Sequence, residues 1–110
     1  MATGGRFLAS RFNRPSFPLF DFNVYAFCSD GDVMEGVASE AASLAGHLQL
    51  SSLCWIYDNN HITIDGGTAL TFAENVAARF RAYRWIVLHV ADANDTPSSS
   101  ATGQMCAWSI

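Results

Sequence analysis

Two continuous runs of β-prone apolar residues, separated by a helix-patterned segment, most constrain how this chain can fold. Residues 24–28 form the first run and residues 53–57 form the second. Runs without polar alternation are typical of strands that are buried on both faces of a parallel sheet. Residues 33–48, which lie between them, carry apolar side chains at the spacing of a helix face and many small residues. Because sequential parallel strands need a crossover, we expect a right-handed strand–helix–strand unit here.

A second crossover is expected further along the chain. A helix is predicted over residues 72–83, with Thr71 as its N-cap and Glu74 completing a capping box. Residues 85–90 form a third apolar run, which we interpret as a third strand. The alternation of strands and helices predicts an α/β domain in which helices flank a parallel sheet.

Composition allows one domain at most and predicts an apolar surface that something else covers. The chain has 110 residues, of which 50% are hydrophobic and only 15% are charged. Its net charge is −4 and it has no long basic run, so we expect neither a nucleic acid nor an anionic membrane surface as a partner. No apolar stretch approaches the roughly 20 residues that a membrane-spanning helix needs.

The N-terminal segment has two interpretations. Residues 1–18 contain three arginines and no acidic residue, a composition that also fits an organellar transit peptide. We favour an amphipathic helix of the domain, with Phe7, Arg11 and Phe12 at helical spacing, that ends before Pro15. A cytoplasmic location is therefore expected, and an organellar one stays open.

The three cysteines are expected to be reduced thiols, since the chain has no secretory signal. Cys28 and Cys54 lie in the two strand-like runs, and Cys106 lies near the C-terminus. A disulfide between Cys28 and Cys54 requires that the two strands are neighbours.

Polar residues that offer oxygen ligands follow both strand-like runs. Asp30-Gly31 comes after the first run, and Asn59-Asn60 comes after the second. Since ligands of open parallel sheets bind at the carboxyl ends of the strands, we expect these residues at one site. Carboxylate and amide oxygens suit Mg²⁺, and a glycine lets the backbone approach a phosphate. The pattern favours a magnesium–diphosphate site, although both dipeptides are also common in ordinary turns.

The sequence around these residues resembles the cofactor-binding segment of transketolases. The similarity is greatest in residues 29–48, SDGDVMEGVASEAASLAGHL, and in residues 57–66, YDNNHITIDG. Further matches lie at residues 8–15, 76–80 and 90–95, so the resemblance covers about residues 3–95. It implies a three-layer thiamine-diphosphate-binding fold, of which the chain holds part of the parallel sheet.

The resemblance also implies a domain division, cofactors and ligands. Residues 1–95 are expected to be a partial diphosphate- and Mg²⁺-binding domain, and residues 96–110 a flexible or non-family tail. The implied cofactors are thiamine diphosphate and Mg²⁺. Asp30, Asn60 and the Ile62 carbonyl correspond to the family's metal ligands, and Gly31 lines its diphosphate site.

Two glutamates are implicated by the same resemblance in subunit contacts. Glu35 and Glu40 match family residues of a hydrogen-bonded acid network at the dimer interface. Without the resemblance, a solvated helix face is the simpler interpretation of both. The family protein is expected to be a homodimer that transfers a two-carbon ketol unit between sugar phosphates.

Several departures from the family pattern bear on this expectation. Ser29 stands where thiamine enzymes generally have glycine, and Arg84 replaces a glycine, which costs roughly 1 kcal/mol if the position needs a positive φ. The substrate-contacting histidines and the glutamate that activates the cofactor belong to family segments outside these 110 residues. His47, His61 and His89 are not taken as replacements for those histidines.

We therefore expect part of a transketolase-like enzyme that is inactive in isolation. The alternative is a non-catalytic interaction fragment whose apolar face binds a complete transketolase. A third option is another thiamine-dependent enzyme, such as deoxyxylulose-phosphate synthase or a ketoacid dehydrogenase subunit. These share the Asp-Gly and Asn pattern but not the run Glu-Ala-Ala-Ser-Leu-Ala-Gly-His.

Overall fold

The computed structural model of the chain describes residues 1–90 and the backbone of residues 106–109. Its helices and strands are, in chain order, α1 (Ala2–Phe12), β1 (Val24–Ser29), α2 (Asp30–Met34), α3 (Gly36–His47), β2 (Leu53–Asp58), β3 (Ile62–Thr63), β4 (Gly66–Gly67), α4 (Val76–Ala82), β5 (Ile86–His89) and β6 (Cys106–Ser109). A short 3₁₀ turn, Thr68–Leu70, lies between β4 and α4.

The central sheet is parallel throughout and has the order β1-β2-β6-β5. β1 and β2 pair from Val24 with Leu53 to Ser29 with Asp58, so both strands end at the same edge. The predicted α/β architecture, a parallel sheet flanked by helices, is confirmed. β3 and β4 form a separate antiparallel hairpin after β2.

The C-terminal segment differs from a tail without secondary structure, because Cys106–Ser109 forms a strand between β2 and β5. Its backbone pairs in parallel with both neighbouring strands. The remainder of residues 96–110 lies outside the described residues, and the predicted domain division stays a prediction.

The single helix predicted over residues 33–48 is wrong in its start and its continuity. Helical backbone already begins at Asp30, and Glu35 separates α2 from α3 with an extended conformation, φ −68° and ψ 132°. The Ser29 N–H donates to Asp32 Oδ2 at 2.9 Å, a local bond that stabilises a turn directly after β1. Asp30 therefore lies in a helix rather than in a loop before one.

The helix predicted over residues 72–83 begins later than expected, at Val76. Its N-cap is Asn75, whose Oδ1 accepts the Ala78 N–H at 2.9 Å, so the predicted Thr71 cap is wrong. Glu74 forms an ion pair with Arg79, at 2.7 Å, in place of a capping bond. The N-terminal helix was predicted correctly, since α1 ends before Pro15.

The core lies on one side of the sheet, where α3 and α4 pack. Trp85 donates its indole N–H to the Ala42 carbonyl of α3 at 2.9 Å. The rings of Trp55, Phe80 and Trp85 are in mutual contact, with centroids 5.3–5.4 Å apart. Gly46 is required by close packing, because a Cβ there would overlap the Tyr83 carbonyl.

The opposite face of β1 is exposed, contrary to the prediction that this strand is buried on both faces. Tyr25 and Phe27 are 61% and 79% exposed. Val24 and Cys28, on the other face, pack against the core. The predicted apolar surface is therefore present, on an edge strand of the described sheet.

The register of β1 and β2 excludes a disulfide between Cys28 and Cys54. Cys54 lies opposite Tyr25, and Cys28 lies opposite Tyr57. The two cysteines are thus three positions apart along the strands, about 10 Å, which is beyond disulfide reach.

Arg84 confirms the strain expected from the sequence. Its φ is 73°, in the left-handed region that glycine adopts at lower cost. Within the described part of the chain, no helix is both long and apolar enough to cross a membrane.

Candidate functional site

Asp30 is a buried carboxylate at the carboxyl edge of the sheet. It follows β1 directly as the first residue of α2, and only 1% of its surface is exposed. Val33, one turn later in the same helix, is fully buried in the core. Burial of Val33 and the Ser29–Asp32 bond thus hold the short helix that carries Asp30.

The two oxygens of Asp30 have different environments. The Tyr57 hydroxyl, from the end of β2, donates to Asp30 Oδ1. Asp30 Oδ2 is buried and has no hydrogen-bond partner among the described residues. A buried carboxylate oxygen without a partner is costly, so an atom in this state is a strong candidate for binding a cation.

Tyr57 also contacts the loop that follows β2. Its hydroxyl oxygen lies 3.1 Å from Asn59 Oδ1. Because a hydroxyl has one proton, it donates to the carboxylate, the stronger acceptor. Burial, and then the hydrogen bond and charge of Asp30, raise the pKa of Tyr57 above its ordinary value. The tyrosine therefore stays a neutral donor at ordinary pH.

Asn60 lies in the same loop, in a more open position. Its Oδ1 accepts the Ile62 N–H at 3.0 Å, and its Nδ2 donates to Asp58 Oδ2 at 3.0 Å. The Asn60 side chain is exposed, and Oδ1 keeps one lone pair that the bond from Ile62 does not use. His61, between Asn60 and Ile62, has a φ of 58°. The loop conformation is thus fixed by its own polar groups.

A cavity of about 480 Å³ opens beside Asp30, within the usual volume range of small-molecule sites. Its walls come from Asp30, Tyr57, Asn59, His61, Thr68, His89 and residues 72–77. Asp30 and His61 both line this cavity. The other predicted site residues, Asn60, Ile62 and Gly31, do not line it. Gly31 has open space where a Cβ would lie.

Sequence reasoning missed the contribution of Tyr57 to this site, whereas Asn59 was expected there as part of the Asn59-Asn60 pair. A signal was available, since a tyrosine at the end of a buried strand needs a partner for its hydroxyl. The strand register then places that hydroxyl beside the residues that follow β1. The cavity wall at residues 72–77 and His89 had no such signal, because it depends on how α4 packs.

Cys28 precedes Asp30 by two residues and is half-buried. Its Sγ lies 3.7 Å from the Ile56 carbonyl, to which the thiol donates. Burial, with a smaller effect of the Asp32 charge, raises the pKa of Cys28 to about 11. The thiol therefore stays protonated at neutral pH, as is usual for a buried structural cysteine.

Glu35 and Glu40 lie outside the cavity. Both are exposed, and neither side chain makes an ion pair or hydrogen bond within residues 1–90. Val37 and Leu44, on the same helix as Glu40, are also exposed, 70% and 56%. The role of Glu35 and Glu40 at a subunit interface stays a prediction.

The donors present fit a hard divalent cation. Asp30 offers a buried oxygen that no described residue uses, and Asn60 and the Ile62 carbonyl offer neutral oxygens on the adjacent segment. Mg²⁺ prefers few carboxylates together with phosphate and water oxygens. In the described residues, no three His, Cys, Asp or Glu side chains converge, so a site with many charged ligands is not formed there.

Comparison with known proteins identifies the family of this chain. The family model described as "Transketolase, thiamine diphosphate binding domain" matches residues 1–104. The chain belongs to the transketolase family. It corresponds to part of the family's thiamine-diphosphate-binding domain, and the match extends past the boundary we expected at residue 95.

Individual transketolases show the same similarity. A transketolase of Geobacillus stearothermophilus is 55% identical over 95 residues, which are 86% of this chain and 14% of that protein. Transketolase 1 of Candida albicans is 56% identical over 86 residues, 78% of this chain and 13% of that protein. The chain therefore spans about a seventh of the length of these relatives.

Solved transketolase structures confirm the fold class. The Pichia stipitis transketolase in complex with sedoheptulose-7-phosphate superposes with a TM-score of 0.89 and 38% identity, covering 99% of this chain and 18% of that one. The Campylobacter jejuni transketolase gives 0.69 and 36%, covering 83% and 16%. The chain thus has the fold of part of the transketolase cofactor domain.

Proposed function

We propose that this chain binds Mg²⁺ and the diphosphate of thiamine diphosphate at the carboxyl edge of its sheet. The observation that carries the proposal is the buried, unpartnered Oδ2 of Asp30 beside a cavity of about 480 Å³. Asp30, Asn60 and the Ile62 carbonyl are the proposed metal ligands, and Gly31 is proposed to lie against the diphosphate. Membership of a thiamine-diphosphate-binding family supports the choice of cofactor.

Tyr57 accounts for which Asp30 oxygen is left for the metal. The tyrosine hydroxyl uses Oδ1, so the carboxylate is oriented before any ligand arrives. A carboxylate held in one orientation loses less conformational freedom on binding than a mobile one. When bound, Mg²⁺ supplies positive charge that neutralises the diphosphate and fixes its position.

For the complete protein we propose the family reaction, reversible ketol transfer between sugar phosphates by a homodimer. Glu35 and Glu40, on an exposed part of α2–α3 with Val37 nearby, are proposed to contribute to the subunit interface. The isolated chain is expected to show no ketol transfer, because the activating glutamate belongs to another family segment. Measurable turnover by the purified 110-residue chain would contradict this. The predicted cytoplasmic location stays a prediction.

Isothermal titration of the chain with Mg²⁺ and thiamine diphosphate tests the site. Asp30→Asn keeps the side-chain shape but removes the charge, and we expect affinity to fall by roughly 100-fold, since a metal ligand is lost. Asp21→Asn is the matched control, because it makes the same change on an exposed side chain outside this cavity. It should bind like the wild type.

Two outcomes would contradict the proposal. Equal affinity of the wild type and Asp30→Asn would show that Asp30 is not a ligand. No binding by the wild type would show that the chain does not hold the cofactor by itself. Titration with Mg²⁺ and inorganic pyrophosphate separates diphosphate recognition from contacts with the thiamine rings, because pyrophosphate lacks those rings.

A second candidate, an interaction fragment that binds a complete transketolase, is favoured by the exposed face of β1. Tyr25 and Phe27 are large, exposed and on an edge strand of the described sheet. Size-exclusion chromatography with light scattering tests it: association with a complete transketolase should be weakened by Phe27→Thr. Phe17→Thr is the control, because Phe17 is also a largely exposed phenylalanine, at 64%, and lies outside the sheet. No association at micromolar concentrations would exclude this candidate.

A further inference from the structure

Arg79 connects α4 with the helix that carries Asp30. Its Nη2 donates to the Val33 carbonyl of α2 at 2.8 Å, although the two residues are 46 positions apart. Val33 is fully buried, and the Arg79 side chain is only 18% exposed. A hydrogen bond from a charged donor in such a place is stronger than one at the surface.

The Arg79 guanidinium is itself held by neighbours on one side. Nη1 pairs with Glu74 Oε2 at 2.7 Å. The guanidinium carbon lies 5.9 Å from the centre of the Phe72 ring, a cation–π distance. The side chain therefore has little freedom to move away from the Val33 carbonyl.

α2 needs such an external contact because of its length. It has five residues, Asp30–Met34, far fewer than a helix needs to be stable alone. The Val33 carbonyl is near its C-terminus, where no residue of α2 can supply an N–H. A cation at this end is also favoured by the helix dipole. Arg79 thus satisfies an acceptor that α2 cannot satisfy itself.

We propose that Arg79 is a positioning residue for the Asp30 site, which fixes α2 by binding the Val33 carbonyl. Asp30 is three residues before Val33 in one turn of helix, so a displacement of α2 moves the Asp30 carboxylate away from Tyr57. The effect on cofactor binding rests on the function proposed above. The effect on α2 does not, because it concerns the protein without ligand.

Two measurements on the full chain test this proposal. Amide hydrogen exchange by NMR reports on α2, and titration with Mg²⁺ and thiamine diphosphate reports on the site. In Arg79→Gln we expect the α2 amides to exchange about ten-fold faster relative to those of β1 and β2, and affinity to fall about ten-fold. Arg79→Lys, which keeps the charge and a donor, should recover most of both.

Arg81→Gln is the matched control, since it removes the same charge from the same helix. Arg81 is exposed, and within the described residues its side chain makes no hydrogen bond or ion pair. It should leave α2 exchange and affinity unchanged. A merely structural role of Arg79 would instead accelerate exchange in α2 and the sheet equally and leave affinity unchanged.

The outcomes separate the two proposals. Unchanged α2 exchange in Arg79→Gln, or an equal change in Arg81→Gln, overturns the positioning role. If the wild type binds no cofactor, the proposed function fails, while the exchange data still decide whether Arg79 fixes α2. If Arg79→Gln does not fold, Arg79→Lys decides: exchange and affinity equal to the wild type support the role, and large losses of both contradict it.

Discussion

Asp30 and Asn60 lie after neighbouring strands that end at one edge of the sheet, yet their surroundings differ in kind. Asp30 is buried, its carboxylate is oriented by Tyr57, and its helix is bonded to α4 through Arg79. Asn60 is exposed, and among the described residues its side chain bonds only to Asp58 and Ile62, which flank its loop. The position of the Asp30 side chain depends on the core, and that of the Asn60 side chain depends on a few local bonds.

This difference indicates how such a site divides its tasks. A donor fixed by the core sets the position of a metal at little entropic cost. An exposed loop opens locally more easily than the core, so a donor on such a loop can adjust to its ligand. We call Asp30 with Tyr57 and Arg79 the Asp30 side of the site, and the loop around Asn60 the Asn60 side. We expect changes on the Asp30 side to lower both cofactor affinity and the free energy of unfolding. Changes on the Asn60 side should alter the free energy of unfolding little.

The largest stability effect is expected from Tyr57→Phe. The change leaves the buried Asp30 carboxylate without its hydroxyl donor, and a hydrogen bond to a charged group is worth about 2 kcal/mol. We expect the free energy of unfolding in urea to fall by about that amount. Tyr25→Phe, an exposed tyrosine on the adjacent strand, is the control and should be neutral. Equal stability of Tyr57→Phe and the wild type would show that Asp30 is not stabilised by this bond.

The same variant has a pH signature. Because burial and then Asp30 raise the pKa of folded Tyr57 above its ordinary value of 10.0, the neutral form is favoured by folding. The contribution of Tyr57 to the free energy of unfolding is fully present below pH 10. It is lost as the pH rises towards the raised pKa, because the tyrosine ionises first in the unfolded chain. The stability difference between wild type and Tyr57→Phe should therefore narrow above pH 10. A constant difference from pH 8 to 11 would contradict the raised pKa.

A smaller effect is expected from Asn60→Ala. The side chain makes two hydrogen bonds in an exposed loop, so we expect a loss of about 1 kcal/mol at most in the free energy of unfolding. Hydrogen exchange should increase in the loop and not in β1. Affinity for Mg²⁺ with thiamine diphosphate should fall in titrations, although less than in Asp30→Asn. A stability loss as large as that of Tyr57→Phe would remove the distinction between the two sides.

The fold was predictable where the signal was local and strong. The apolar runs identified β1, β2 and β5, and the pairing of β1 with β2 follows from the crossover between them. The break at Glu35 was not predictable in this way, because α2 depends on the burial of Val33 and on a bond from Arg79, which is distant in sequence. The start of α4 was ambiguous, as Thr71 and Asn75 both have the composition of an N-cap.

The site was predictable as a list of residue types and not as an arrangement. Asp30 was recognised at the strand end, but its burial and its partner Tyr57 follow from register and packing. Asn60 was expected beside it, whereas the structure has Asn59 in the cavity wall and Asn60 in the turn. Neighbouring asparagines cannot be told apart by pattern alone, because the direction of each side chain depends on the loop backbone.

Arg84 lies outside both sides of the site and provides the smallest predicted effect. It follows α4 at the position where helices often have glycine: the Trp85 N–H donates to the Phe80 carbonyl at 3.1 Å, and φ of Arg84 is 73°. Arg84→Gly removes the strain of a side chain in this conformation but adds flexibility to the unfolded chain, so we expect a net gain of about 0.5 kcal/mol. Ala82, two residues earlier, is the last residue of α4 and has no such strain to remove. Ala82→Gly should therefore destabilise by about 1 kcal/mol in the same urea titrations.

A gain in Arg84→Gly should slow hydrogen exchange in the sheet and leave exchange in the Asn60 loop unchanged, because that loop opens without unfolding the core. Slower exchange in the loop by the same factor would mean that it opens only with the core, and that the two sides of the site are one cooperative unit.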